Sequence, residues 1–233
     1  LRFEFKEFSI EQSRSALKVG TDAMILGAIS EHKNPQRILD IGTGTGVLSL
    51  VMAQKYPNAK IEALDIDAES LLDCAQNFKN SPWNDNLDCK KINFNRFETS
   101  NNFDLIISNP PFYENALKSE NSRTNRAKHE DDQLIENIFI KSTELLHSEG
   151  LLWLILPYSS FDKWNKFAKE QELFLVKNYS IFAKPDRPKR SVLAFGLDGK
   201  IEVRNFDLIL RDESGNYSEE YKLLTRDFHS KEL

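Results

Sequence analysis

Between residues 37 and 157 the chain alternates short, almost wholly apolar runs with longer amphipathic ones, and this alternation restricts the fold more than any other feature. "RILDIG" reads as a strand, and "TGVLSLVMAQKY" as a helix with Val47, Leu50 and Val51 on one face. "KIEALDID" is a second strand, "AESLLDCAQNFKNS" a helix with Leu71, Leu72 and Ala75 inward, and "LDCKKIN" a third strand. The fourth strand "FDLIISN", the helix "DQLIENIFIKSTELL" with Leu134, Ile138 and Leu145 inward, and the fifth strand "GLLWLILP" complete the series. Strands that are apolar on both sides leave neither face to water, so the pattern predicts an α/β fold with a mostly parallel sheet and helices on both faces.

Past residue 157 the pattern changes. "FDKWNKFAKEQ" reads as a helix, and "LFLVKNYSIFAK" and "RSVLAFGL" as two strands joined by the basic "PDRPK", which predicts an antiparallel C-terminal hairpin. "IEVRNFDLIL" is a further candidate strand and "SEEYKLLTRDF" a last helix. The N-terminal "FKEFSIEQSRSALKVGTDAMILGAI" holds a helix from about Thr21 and is expected to pack over one edge of the sheet. A single domain over 1–233 follows, with an N-terminal extension (1–36), a core (37–157) and a C-terminal hairpin and helix (158–233).

Composition excludes several classes. No apolar run nears the roughly 18 residues that cross a bilayer, and the first residues lack the apolar core of a secretion signal, so a cytoplasmic protein without membrane contact is expected. Two cysteines, Cys74 and Cys89, make neither a disulfide framework nor a zinc site, and no metal is expected. A net charge of -5 argues against a wholly electrostatic nucleic-acid binder. Two local basic clusters remain: "SRTNRAK", with Arg123, Arg126 and Lys128, and "KPDRPKR", with Lys184, Arg187, Lys189 and Arg190.

The loop "DIGTGTG" closes the first strand and opens the first helix, where glycine permits a sharp turn and close approach of a ligand to the main chain. Glycines at 42, 44 and 46 with Val47 break the dinucleotide spacing, and the Lys-Ser/Thr of a P-loop is missing. Asp65, about twenty residues on, stands where a carboxylate accepts from ribose hydroxyls. Asp67 is the better cap for the following helix, which leaves Asp65 for a nucleoside-containing ligand.

At the end of the fourth strand stands "NPPFY". Pro110 and Pro111 stop the strand and hold a stiff path, and their carbonyls remain as acceptors. If the Asn109 side-chain oxygen and the Pro110 carbonyl each take one hydrogen of a planar exocyclic amine, its lone pair is drawn out of the ring and can attack a methyl donor, with positioning in place of a strong base. Phe112, with Tyr113 as a second candidate, gives an aromatic face for a base out of its stack. The same stretch is also an ordinary strand-ending turn.

"LDIGTGTG" and "ALDID" resemble the first two motifs of the class I S-adenosylmethionine-dependent methyltransferases, and "NPPF" resembles the signature of their amino-group branch. The resemblance implies a Rossmann-like, seven-stranded sheet with one antiparallel strand. It implies that Asp40 and the loop Gly42, Thr43, Gly44 and Gly46 face the methionine part of S-adenosylmethionine, that Asp65 meets the ribose, that Ile66 also touches the cofactor, and that Asn93 meets the adenine; S-adenosylhomocysteine is the product. Phe at the fourth position of the signature leaves adenine N6, guanine N2 of RNA and protein glutamine N5 open as acceptors.

The flanks "FKEFSIEQSRSALKVGTDAMILGA", "SRTNRAKHE" and "KPDRPKRSVLAF" resemble the bacterial methyltransferases that act on N6 of adenine 37 in valine tRNA. That resemblance implies a tRNA substrate, with Tyr113, Arg123, Arg126, Lys184, Arg187, Lys189 and Arg190 as contacts, and a monomer is expected. An RNA-binding protein that keeps the fold without catalysis is the alternative of another class.

Overall fold

The computed structural model describes residues 2–15, 18–112 and 122–229, of which 122–129 by their backbone alone. A small antiparallel pair, β1 (Arg2–Glu4) and β2 (Ser9–Glu11), precedes α1 (Thr21–Ile29). The core then runs β3 (Arg37–Ile41), α2 (Val47–Lys55), β4 (Lys60–Asp65), α3 (Ala68–Lys79), β5 (Leu87–Lys91), β6 (Phe103–Ser108), α4 (Ser122–Leu145) and β7 (Leu146–Pro157). The chain continues through α5 (Phe161–Glu170), β8 (Phe174–Phe182), β9 (Pro188–Gly196), β10 (Arg204–Ile209) and α6 (Glu219–Thr225).

The main sheet has the order β10-β8-β9-β7-β6-β3-β4-β5, and only β9 runs against the rest. It therefore has eight strands where seven were expected. The added strand is β10, which pairs in parallel with β8 from Arg204↔Lys177 to Ile209↔Phe182 and covers that edge. The hairpin β8–β9 is antiparallel, as the sequence predicts.

Strand residues divide between the faces with period two, as a pleated strand requires. In β7, Trp153 and Ile155 belong to one apolar cluster and Leu152, Leu154 and Leu156 to the other. The first cluster is closed by α1, α2, α3 and α6 through residues such as Ile25, Val51, Cys74 and Tyr221; the second by α4 and α5 through Ile138, Phe139 and Trp164.

Three expectations are corrected. Leu72 and Ala75 face solvent, Leu72 being 55% exposed, and the inward face of α3 is Leu71, Cys74 and Phe78 with Asp73 and Asn77. Asp73 is buried because it accepts from the backbone N–H groups of Arg14 and Ser15, and Asn77 bonds both backbone groups of Glu11. The N-terminal segment is thereby fastened to α3, while α1 lies over β7 beside α2 and α6 and not at a sheet edge. Finally, α4 starts at Ser122, ten residues before the helix read from "DQLIENIFIKSTELL", and so takes in the arginine run.

Candidate active site

The parallel strands end on one rim, where the glycine loop follows β3, Asp65 closes β4 and the proline turn follows β6. Gly42 and Thr43 donate their N–H groups to the Leu64 carbonyl at 2.8 and 3.0 Å, which pins the glycine loop to the end of β4. Gly42 and Gly44 have φ of 73° and 56°, the left-handed region that favours glycine, and a side chain at either would meet nothing within 4 Å. That space is open to a ligand. Gly46, at φ 84°, differs: a Cβ there would lie 2.6 Å from Phe78 and 2.9 Å from Cys74. It lets α3 approach the loop.

Asp40 lies beneath this loop and is wholly buried. Its Oδ2 accepts from Thr43 Oγ1 at 2.7 Å, Ser49 Oγ at 2.7 Å and Ser49 N at 3.1 Å, whereas its buried Oδ1 has no partner. Burial, aided by the nearby Asp65 charge and opposed by those hydrogen bonds, pushes its pKa up from 3.8 to about 6. Thr43 is turned inward and serves Asp40. Ser49, in the first turn of α2, was not singled out by the sequence, because a serine inside a helix carries no signal of what it bonds.

Asp65 is half-buried and accepts from Gly44 N at 2.7 Å and Asp67 N at 2.9 Å. It is thus engaged and not free as expected, yet each carboxylate oxygen accepts more than one hydrogen bond, so lone pairs remain for hydroxyls. Asp67 caps α3 as predicted, through Glu69 N and Ser70 N. Ile66 is 66% exposed, an apolar surface beside Asp65 on which a flat base can rest. Asn93 is exposed at the end of β5 and uses its Oδ1 to hold Asn95 N at 3.0 Å.

The residues fit S-adenosylmethionine. An unsatisfied buried carboxylate oxygen suits an ammonium group, two neighbouring carboxylates suit a ligand with positive charge, and the open glycine backbone suits one without a pyrophosphate. Among the described residues no group of three or more His, Cys, Asp or Glu is placed to hold a metal ion, and no helix is long and apolar enough to cross a membrane.

The proline turn is adjacent. Ile41 and Ser108 are partners in the β3–β6 ladder and are further joined by Ser108 Oγ donating to the Ile41 carbonyl at 2.7 Å, so Gly42 and Asn109 leave the rim side by side. Asn109 is half-buried, Pro110 buried, Pro111 exposed and Phe112 half-buried. Tyr113 lies outside the described residues, as do the side chains of Arg123 and Arg126, whose backbone is in α4.

The second basic cluster reaches the same rim. Arg190 pairs with Pro157 across β9–β7, and its guanidinium lies 4.8 Å from the centre of the Phe112 ring. Its Nε donates to Asp22 Oδ2 at 2.8 Å, so the first turn of α1 holds it over the ring. Lys184 and Arg187 are exposed on the β8–β9 turn, and Lys189 is exposed at the start of β9. Asp22 was not singled out by the sequence, since an acidic residue in a first helical turn is ordinary.

A glycine loop over a buried acid, the Asp65 carboxylate and a proline turn in adjacent register stand on the mostly parallel sheet of the class I methyltransferase fold. The fold comparison agrees: a predicted O-methyltransferase from Agrobacterium tumefaciens superposes with a TM-score of 0.71 at 15% identity, covering 89% of this chain and 96% of that one. A methyltransferase from Pyrococcus furiosus gives 0.61 at 18% identity, over 82% and 89%. The chain belongs to the methyltransferase small domain family, whose model matches residues 12–167. It is 36% identical over 98% of its length, and 99% of the relative's, to the tRNA1(Val) (adenine(37)-N6)-methyltransferase of Flavobacterium johnsoniae, and 34% identical over 97% and 96% to that of Bacteroides thetaiotaomicron.

Proposed function

We infer that this enzyme methylates the N6 amine of adenine 37 in valine tRNA. The observation that carries the chemistry is the register Ile41↔Ser108, which sets the amine-holding turn beside the glycine loop. The tRNA substrate rests on near-full-length similarity to enzymes with that name. S-adenosylmethionine supplies an electrophilic methyl group on a sulfonium. Asp40 and the glycine loop hold the amino-acid end of the cofactor, and Asp65 and Ile66 its nucleoside.

Asn109 Oδ1 and the Pro110 carbonyl accept the two amine hydrogens, and Phe112 supports the flipped adenine. The nitrogen lone pair so exposed would take the methyl group, the electrons of the broken C–S bond would stay on sulfur, and one amine proton would leave to water. Neither acceptor needs to be a strong base, because the proton leaves only once the nitrogen is positive. Arg190, together with Lys184, Arg187 and Lys189, and Arg123 and Arg126 from α4, contacts phosphates, and Tyr113 is a second aromatic contact. The protein acts as a monomer in the cytoplasm.

The test is incubation with labelled cofactor and unmodified total tRNA, followed by nucleoside mass spectrometry. N6-methyladenosine at position 37 of valine tRNA is expected. N2-methylguanosine, which Phe112 in place of Tyr allows, or no methylated nucleoside, would overturn the assignment.

A further inference from the structure

The eighth strand has a consequence at the same rim. The ends of β8 and β10, the start of β9 and the first turn of α1 enclose a cleft of about 410 Å³. Ile181 and Leu210 give it apolar surface, and Lys184, Lys189, Arg190 and Arg211 line it with the one carboxylate Asp22, a formal charge of +3 from four cations less one acid. Asp22 already receives the Nε of Arg190, so its charge is met within the wall. What remains is a positive cleft of the size that takes one small ligand.

Arg211 is the ordered part of it. Its guanidinium carbon lies 3.9 Å from the centre of the Tyr217 ring, and Nη1 donates to the Gly215 carbonyl at 2.7 Å. The Tyr217 ring in turn stacks on Tyr221, 4.9 Å between centres, and Tyr221 is 2% exposed. A backbone bridge Arg211↔Tyr217 fixes the two segments behind this stack. A guanidinium held flat in advance loses little freedom when it forks onto a phosphate or meets the face of a base. Arg190 connects the cleft to the chemistry, because it lines the cleft and also lies over Phe112.

We propose that this cleft is a second nucleotide subsite, which takes the nucleotide next to the methylated one in single-stranded RNA. Its phosphate is held by Arg211 with Lys184 and Lys189, and its base lies against Leu210 and the flat guanidinium. The proposal rests on the reading of this enzyme as an RNA methyltransferase. It gives β10 and the return through Tyr217 a function that the cofactor half does not require.

The test is binding of a fluorescent, unmodified anticodon stem-loop to the full chain with S-adenosylhomocysteine present, followed by anisotropy across a salt series. Arg211→Gln is expected to weaken binding about tenfold. It should flatten the slope of log K against log salt by about 0.7, the share of one single-strand phosphate contact. Cofactor affinity should not change. Lys184 is exposed on a turn, so Lys184→Ala keeps the fold; a weaker effect of the same kind is expected. If both variants bind with the affinity and slope of the native protein, the subsite is wrong. Nucleoside analysis of the native enzyme is read separately: absence of N6-methyladenosine removes the functional reading, while a flattened slope in the variants still supports a nucleotide in the cleft.

Discussion

The two halves of the catalytic rim are built by different means. On the β3–β4 side the rim is main chain and buried carboxylate: the Gly42 and Thr43 amides on the Leu64 carbonyl, the Gly44 amide on Asp65, and Asp40 held by Thr43 and Ser49. On the β8–β10 side it is long cationic side chains over rings, Arg190 on Phe112 and Arg211 on Tyr217, flanked by exposed lysines. A backbone cradle is rigid and admits one shape. Exposed lysines tolerate displacement, and the two guanidiniums steadied over rings present flat charge, which together suit the phosphates of a polymer. Substitutions should therefore be severe and specific on the first side and at the turn between the halves, and graded and salt-dependent on the second.

The turn between them should show the largest effect. Asn109→Ala is expected to lower kcat by about 10²–10³-fold, as removal of one positioned hydrogen-bond group from a reacting centre does. Isothermal titration with S-adenosylmethionine should give an unchanged affinity. A kcat near that of the native enzyme would remove Asn109 from the chemistry and dissolve the division drawn above.

Gly46→Ala probes the rigidity of the cofactor half without touching the ligand surface. The substitution places a methyl group 2.6 Å from Phe78 at a φ of 84°, and should cost about 2–3 kcal/mol of stability, roughly a hundredfold in the folding equilibrium. Urea denaturation measures it. A loss below about 0.5 kcal/mol would mean that α3 yields easily and the cradle is not stiff.

Asp40 gives the cofactor half a pH signature. Its pKa is raised from 3.8 to about 6, chiefly by burial, so the folded state favours the protonated acid. Its contribution to the stability of the ligand-free protein is complete below about pH 4 and is lost as pH rises through 6, by about 3 kcal/mol at most. Cofactor binding runs the other way, because an ammonium is held by the ionised form: affinity should fall as pH drops through about 6. Asp40→Asn should bind the cofactor about tenfold more weakly at pH 8 and lose this pH dependence. A pH-independent affinity in the native protein would show that Oδ1 does not face the ligand.

The same division explains what could be read from the amino acids alone. The glycine loop, Asp65 and the proline turn are each set by neighbours in sequence, and local backbone constraint is what residue types report directly. Asp22 and Arg190 meet across 168 positions, and neither is unusual where it stands. The inward face of α3 was misassigned for a related reason. An apolar stripe puts Leu72 in and Asp73 out, but Asp73 and Asn77 satisfy backbone groups of residues 11, 14 and 15, a demand that no pattern within α3 announces. The eighth strand could be seen as a strand, while its parallel pairing beside β8 depends on an edge left open elsewhere in the fold.

The smallest expected effect tests the substrate half through a residue remote from the substrate. Asp22 accepts from Arg190 Nε at 2.8 Å, with the two side chains 28% and 17% exposed, so the pair is partly shielded and its hydrogen bond is charge-assisted. Asp22→Asn keeps an acceptor of the same shape and removes the charge, which loosens Arg190 over Phe112 without unfolding α1. Such a change in a partly exposed pair is worth about 0.7 kcal/mol, so KM for tRNA should rise about threefold. The kcat at saturating tRNA and the cofactor affinity should stay as they are, because Asn109, Pro110 and the glycine loop are untouched. A fall in kcat with KM unchanged would place Arg190 among the groups that orient the reacting base and not among those that hold the chain around it. The boundary between the rigid half and the adaptable half would then run through β9, beyond the proline turn.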